Sequence, residues 1–211
     1  MSAPPFVGLT GGIGAGKSEA LAALGRLGAA TISADQVVHE LYDDPEVRAA
    51  VVGRWGSEVA PDGRVDRAAV ARRAFANDEE RGWLEQLLWP KVGERIAEWR
   101  AVESQREPAP VALVVETPLL FEAGLEGNYD ATIAVIADED VRAQRAGARG
   151  HEALDERTAR QFTQVQKAER ATYAVDNSGS LRELEQELSE VLAKLKFEGG
   201  TSPPPRPDHP T

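Results

Sequence analysis

The chain has 211 residues, 42% of them hydrophobic and 28% charged, a composition typical of one ordinary folded domain and not of a disordered or fibrous protein. Its formal net charge of −11 disfavours binding to the phosphate backbone of nucleic acid. The absence of cysteine excludes disulfides and thiolate zinc sites. The sequence has neither an apolar stretch of membrane-spanning length nor a signal peptide. We therefore expect a cytoplasmic protein that binds neither membranes nor nucleic acid, and we also expect it to be a monomer.

The first elements along the chain are a strand, a glycine-rich loop and a helix. Residues 6–9 form a short apolar run typical of a buried strand. Residues 17–27 are rich in alanine and leucine, and Gly28 is placed to end a helix there. The segment between them, GGIGAGKS at positions 11–18, is therefore predicted to lead from the end of a strand into the start of a helix.

Four further short runs predict the remaining strands of a mainly parallel sheet. Unbroken apolar runs are typical of strands that are buried on both faces, as in parallel sheets. Such runs lie at residues 111–115 and 131–136, and residues 30–32 and 173–175 are the other two strand candidates. Residues 181–196 carry leucines at helical spacing and predict a last amphipathic helix. This alternation of strands and helices indicates an α/β fold.

Two polar segments interrupt the alternation, and a third ends the chain. Residues 36–110 have a helical pattern almost throughout, with Asp66 as a candidate N-cap, and predict an insertion at the carboxyl edge of the sheet, where ligands of open α/β folds bind. The arginine-rich residues 140–170 predict a helical lid. Residues 1–198 are expected to form one domain, and the proline-rich residues 199–211 are predicted to be disordered.

The segment GGIGAGKS matches the phosphate-binding pattern G-x-x-x-x-G-K-[ST]. Glycines allow backbone N–H groups to converge on phosphate oxygens at a helix N-terminus, Lys17 would reach the β- and γ-phosphates, and Ser18 would bind Mg²⁺. A glycine-rich turn that precedes a helix by chance is the alternative, and the preceding buried strand argues against it. The predicted triphosphate contacts are Gly12, Ile13, Gly14, Ala15, Gly16, Lys17, Ser18 and Glu19.

Two other nucleotide-binding classes are disfavoured. The dinucleotide pattern G-x-G-x-x-G fails, because Lys17 and Glu19 occupy its sixth position in the two possible registers. A regulatory GTPase would carry a guanine-reading N-K-x-D or T-K-x-D sequence, and neither occurs in this chain. The phosphate-binding loop is therefore more typical of a small phosphotransferase.

An ordered set of further motifs accompanies this loop. It comprises residues 33–35 (SAD), 65–67 (VDR), 87–90 (LLWP) and 116–122 (ETPLLFE), then Arg142, Arg145, Arg149, Gln161 and residues 176–179 (DNSG). In this order, together with TGGIGAGKS, the motifs resemble the dephospho-CoA kinase family from about Val7 to the final helix.

The resemblance implies a fold, an activity and substrates. The fold is the three-layer P-loop kinase fold, with a five-stranded parallel sheet flanked by helices, a helical acceptor-binding insertion and a helical lid. The activity is Mg²⁺-dependent transfer of the ATP γ-phosphoryl group to the ribose 3′-hydroxyl of dephospho-CoA, the last step of coenzyme A synthesis. The alternatives are another nucleoside or nucleotide kinase of the same fold, and a non-catalytic regulator that binds a nucleotide.

In addition to Lys17, the resemblance assigns catalytic roles to three charged residues. Asp35 would accept the hydroxyl proton and hold the nucleophile in line; its alternative role is the N-cap of a helix at residues 36–42. Arg145 and Arg149 lie four residues apart on one helical face and would stabilise the transferring phosphoryl group. The alternative for these arginines is an exposed helix that is ion-paired with nearby carboxylates.

The remaining implied positions concern the metal and the acceptor. Glu116 either lies near Mg²⁺, through a water molecule, or caps a turn. Thr10, Asp35 and His39 are assigned to acceptor binding. Four apolar residues either pack under the acceptor or are plain core: Pro118, Leu119, Leu120 and Phe121.

Three positions depart from the family pattern. His39 replaces an arginine, Trp89 a histidine and Thr172 an aspartate. Because a histidine is mostly neutral at pH 7, the departure at His39 predicts weaker or pH-sensitive acceptor binding.

Overall fold

The computed structural model describes residues 3–147 and 161–198. Its strands are β1 (Phe6–Gly11), β2 (Ala30–Ser33), β3 (Leu113–Glu116), β4 (Ala131–Ile136) and β5 (Tyr173–Asp176). Its α-helices are α1 (Lys17–Arg26), α2 (Ala34–Leu41), α3 (Pro45–Trp55), α4 (Arg67–Ala74), α5 (Asp78–Glu103), α6 (Glu139–Gly147), α7 (Gln164–Arg170) and α8 (Leu181–Glu198). Short 3₁₀ helices cover Ser57–Val59 and Glu126–Asn128.

The five strands form one sheet in the order β2-β3-β1-β4-β5. Strand β1 pairs in parallel with β3 and with β4, and β4 pairs in parallel with β5. The prediction of a five-stranded parallel sheet is therefore confirmed. Strand β1 runs two residues beyond the predicted apolar stretch, because Thr10 and Gly11 continue the pairing opposite Ala134 and Val135.

The chain divides into two compact units, and the first comprises Met1–Thr31 and Glu103–Thr211. Its core joins the central strands to helices α1 and α8: Leu9, Leu24, Ile133 and Leu188 are all fully buried. Burial of strand side chains on both faces explains why these strands are almost continuously apolar.

The second unit is Ile32–Val102. Apolar side chains of α2, α3, α4 and α5 form its core, which includes Val37, Val47, Val70 and Leu88. The start of α4 is capped by Asp66, whose carboxylate accepts hydrogen bonds from the backbone N–H groups of Ala68 and Ala69 at 2.9 and 3.2 Å. The Asp66 prediction is thus confirmed. Within the described residues, no helix combines the length and the apolar character needed to cross a membrane.

Candidate functional site

The phosphate-binding loop connects the end of β1 at Gly11 to the start of α1 at Lys17. Gly14 and Gly16 have positive φ angles of 77° and 90°, which side chains other than glycine rarely adopt. A Cβ atom at Gly14 would lie 2.6 Å from the backbone oxygen of Arg142, and one at Gly16 would overlap the Asn177 side-chain amide. Both glycines are therefore required by backbone conformation and by close neighbours.

The first turn of α1 has the features of an anion site. Its N-cap is Gly16, which supplies no side-chain acceptor to the first N–H groups of the helix. Lys17 bends back over the loop, with Nζ 3.3 Å from the backbone oxygen of Gly12. Ser18 is exposed in the same turn. These positions suit a ligand with several anionic oxygens at the helix N-terminus.

Three loop carbonyl groups are engaged by donors of the protein. The side chain of Asn177 donates to the oxygen of Ala15 at 2.8 Å, and Nε of Arg142 donates to the oxygen of Ile13 at 2.9 Å. The oxygen of Gly12 accepts from the N–H group of Ala15 at 3.2 Å. With its carbonyl groups held in this way, the loop is fixed before any ligand binds.

Arg145 on α6 lies next to this loop. Its Nη1 donates to the backbone oxygen of Asn177 at 2.9 Å, and it would be 3.5 Å from a Cβ atom at Gly16. Among the described residues of α6, Arg142 pairs with Glu139 at 2.6 Å. Arg145 thus contacts the residue that anchors the loop, and its catalytic role stays a prediction. Arg149 lies outside the described residues.

Glu19 lies on the solvent side of α1. Its carboxylate pairs with Arg26 at 3.2 Å, and both side chains are about half exposed. Arg26 also pairs with Glu185 of α8 at 2.6 Å. Glu19 is therefore part of a surface ion-pair cluster, and its contact with a nucleotide stays a prediction.

A buried polar cluster lies behind the loop. Lys167 is fully buried, and its Nζ donates to the backbone oxygen of Pro118 at 2.7 Å and to the hydroxyl of Thr10 at 3.3 Å. A carboxylate oxygen of Glu122 lies 2.9 Å from the same Nζ. Burial lowers the pKa of Lys167, while the Glu122 carboxylate opposes that shift.

Sequence reasoning missed Lys167 and Asn177 as site residues. Asn177 lies in the DNSG motif and Glu122 in the ETPLLFE motif, so the resemblance marks both segments without giving their contacts. Lys167 lies in a short polar helix with no apolar spacing, and no sequence pattern indicates that it is buried. A contact that spans 157 residues of chain is invisible to local pattern analysis.

The residues assigned to the acceptor or the metal in the first unit have clear positions. Thr10 is fully buried and donates to the oxygen of Pro118 at 3.1 Å. Leu120 and Phe121 are buried, as a plain core role requires, whereas Pro118 and Leu119 are partly exposed. Their contact with an acceptor stays a prediction.

Glu116 ends β3 and is 6% exposed, and its register partner on β1 is Leu9. Strand β1 leads into the phosphate-binding loop two residues after Leu9. A carboxylate at this strand end and the Ser18 hydroxyl supply oxygen donors, which are the ligands that Mg²⁺ prefers. The residues present therefore fit a magnesium ion.

Asp35 and His39 belong to the second unit. They lie on α2, four residues apart and hence on one face, and both are exposed. The N-cap of α2 is Ser33, whose hydroxyl accepts from the N–H group of Gln36 at 3.4 Å. The interpretation of Asp35 as an N-cap is wrong, because the helix begins at Ala34 and Asp35 lies inside its first turn.

The other two departures from the family pattern have different surroundings. The Trp89 residue is 55% exposed on α5. Thr172 lies just before β5, and Thr132 lies at the start of β4. The backbone N–H group of each threonine donates to the side-chain hydroxyl of the other at 3.0 Å. Thr172 therefore has a structural role that joins two neighbouring strands.

The chain is similar to one known family over most of its length. The family model for dephospho-CoA kinase matches residues 5–183. A dephospho-CoA kinase from Frankia casuarinae is 40% identical over 196 residues, covering 90% of this chain and 82% of the relative. Another, from Protochlamydia amoebophila, is 35% identical over 196 residues and covers 90% and 96%.

Among solved structures, TT1252 from Thermus thermophilus superimposes with a TM-score of 0.75 at 33% identity, covering 92% of this chain and 98% of that one. The P-loop kinase fold expected from the motifs is thus confirmed, as is the family. The chain belongs to the dephospho-CoA kinase family.

Proposed function

We propose that this protein transfers the γ-phosphoryl group of ATP to the ribose 3′-hydroxyl of dephospho-CoA and releases coenzyme A and ADP. The family match over residues 5–183 carries the proposal, because it spans both the phosphate-binding loop and Asp35. The prearranged loop supports the donor side of this reaction.

On the donor side, Lys17 and the N-terminal turn of α1 bind the β- and γ-phosphate oxygens. The loop that presents them is held by Asn177 and Arg142, so little reorganisation is needed when ATP binds. Arg145 would stabilise charge on the transferring group, and its position beside Gly16 supports this role. Mg²⁺ held near Ser18 and Glu116 would neutralise part of the phosphate charge.

On the acceptor side, Asp35 accepts the proton of the attacking hydroxyl. The new bond joins the 3′-oxygen to the γ-phosphorus, and the bond from that phosphorus to the β–γ bridging oxygen breaks, which releases ADP. Because phosphoryl transfer has a loose transition state, orientation of the hydroxyl by Asp35 contributes more than the strength of Asp35 as a base.

We further propose a cytoplasmic monomer. Both substrates are charged, water-soluble molecules, and the residues assigned to both of them lie on one chain. Light scattering of the purified protein, with and without ATP, measures the mass. A stable dimer would contradict this part of the proposal.

The test is an acceptor screen. Purified protein is incubated with radiolabelled ATP, MgCl₂ and one acceptor at a time: dephospho-CoA, a panel of nucleoside monophosphates, or none. We expect labelled coenzyme A with dephospho-CoA and no labelled product with any other acceptor. The variant Lys17→Ala should lose both nucleotide binding and turnover. Transfer to a nucleoside monophosphate instead would favour a nucleotide kinase, and ATP binding without transfer would favour a regulator.

A further inference from the structure

Lys167 is a fully buried cation outside the residues that contact ATP in the proposed reaction. Moving an ammonium group out of water is strongly unfavourable unless hydrogen bonds and an opposite charge compensate for it. Here its three N–H donors have three kinds of acceptor: the Pro118 carbonyl, the Glu122 carboxylate and the Thr10 hydroxyl. A fully engaged ammonium of this kind fixes the groups that surround it.

The acceptors belong to two different segments of the functional site. Thr10 is the last residue but one of β1, immediately before the glycines of the phosphate-binding loop. Pro118 and Glu122 belong to the turn that follows β3 and its terminal Glu116. The Lys167 ammonium thus joins the start of the phosphate-binding loop to the segment beyond the metal candidate.

Helix α7, which carries Lys167, is itself firmly attached to the sheet edge. Gln164 exchanges two hydrogen bonds with the backbone of Ala137, just after β4, at 2.8 and 2.9 Å. Glu122 also accepts from the N–H group of Phe162 at 2.7 Å. The lysine is therefore presented from a rigid support and not from a flexible loop.

Stability alone is a weak explanation for this arrangement. Replacement of a buried ion pair by apolar side chains is often neutral or stabilising, so Lys167 and Glu122 add little that a pair of apolar residues would not. Direct contact with a substrate is ruled out in this conformation by the complete burial of Lys167. Unlike an apolar side chain, an ammonium group forms directional hydrogen bonds to the oxygen atoms of Pro118, Glu122 and Thr10.

We propose that Lys167 is a positioning residue for phosphoryl transfer, which holds the start of the phosphate-binding loop in a fixed relation to residues 117–122. The inference rests on the proposed function, because it concerns the same loop and the same transferred group. Since Asn177 and Arg142 also hold the loop, loss of Lys167 should impair the alignment of the reacting groups more than it impairs ATP binding. Small misplacements of reacting groups cost about 10²-fold in rate.

The test uses the full chain and the double variant Lys167→Met/Glu122→Gln, which removes both buried charges and so avoids an unpaired carboxylate. We expect kcat to fall on the order of 10- to 100-fold, with the Kd for ATP within about threefold of wild type. The matched control is Lys194→Met, an exposed lysine of α8, which should leave kcat unchanged. Unchanged kcat in the double variant would overturn the proposal.

Amide hydrogen exchange separates positioning from general stability, and it does not depend on activity. We expect faster exchange at residues 10–18 and 117–123 in the double variant, with no change in α8. Faster exchange throughout the first unit would show a merely structural role and would contradict the proposal. The wild-type protein is assayed in parallel on dephospho-CoA and on the acceptor panel. If it used a different acceptor, the proposed function would be refuted. The kcat of the double variant on that acceptor would still test the role of Lys167.

Discussion

The two units of this molecule hold their polar side chains in different ways. In the described part of the first unit, long-range hydrogen bonds from buried Lys167 and Asn177 connect segments that are more than 100 residues apart. In the second unit, Asp44 and Asp66 cap helices through N–H groups two or three residues away, and Arg54 pairs near the surface with Glu80, 26 residues along the chain. The phosphate side is thus prearranged, whereas Asp35 is an exposed residue on a short helix.

The comparison suggests that burial and functional importance can be unrelated. Lys167 is inaccessible and acts through other residues, while Asp35 is exposed and, in the proposed reaction, contacts the reacting hydroxyl. Catalytic groups must reach the substrate, so exposure in the absence of ligand is expected of them. Substitutions in each unit can break or sharpen this contrast.

The largest effect is expected for Asp35→Asn. It retains the size and polarity of the side chain but removes the proton acceptor, so kcat should fall on the order of 10²- to 10⁴-fold, the usual contribution of a positioned base. ATP affinity should stay the same, because no triphosphate contact is assigned to Asp35. Steady-state kinetics and ATP-binding calorimetry measure the two quantities.

Glu40→Gln is the matched control for Asp35→Asn, because it neutralises another exposed carboxylate on the same helix. It should retain wild-type kcat. If Asp35→Asn also retained kcat, the exposed carboxylate would have no catalytic role. The two units would then differ only in how their polar side chains stabilise the fold.

A smaller effect is expected for Asn177→Ala. The substitution leaves the Ala15 carbonyl, to which Asn177 donates at 2.8 Å, without this buried donor. An unsatisfied buried group costs about 1–3 kcal/mol, and if the loop conformation that binds ATP carries this cost, the Kd for ATP should rise about tenfold. Calorimetry measures the Kd for ATP. Asn128→Ala, at an exposed asparagine, is the control, and an unchanged Kd for Asn177→Ala would show that the loop needs no support from this side.

Much of the fold was predictable, because its signals are local. Residues 131–136 are apolar except for Thr132 and form β4 with those same bounds, since both faces of the strand are buried. The phosphate-binding loop is equally local: its glycines, lysine and serine lie within eight residues of chain. The end of β1 was not predictable, because Thr10 and Gly11 join the strand through pairing with β4 and not through their own character.

The candidate site was predictable only where one segment supplies it. Helical spacing directed attention to Arg145, but it could not indicate its partner, the Asn177 carbonyl, which lies 32 residues away. Ser33 and Asp35 are both suitable N-cap residues, and only the backbone conformation shows that Ser33 takes this position. Lys167 illustrates the limit most clearly, since nothing in its neighbourhood indicates burial.

The smallest effect is expected for Asp66→Ala, which tests whether local capping is what holds the second unit. The substitution removes the acceptor for two N–H groups at the start of α4. We expect a loss of about 1 kcal/mol in unfolding free energy, or about 2–4 °C in Tm. Asp66→Asn should retain most of the stability, because asparagine caps about as well as aspartate. Thermal unfolding of the three proteins distinguishes these outcomes. Equal losses for both variants would mean that the carboxylate charge, and not the cap, stabilises this helix, and the second unit would then depend on longer-range electrostatics than its local hydrogen bonds indicate.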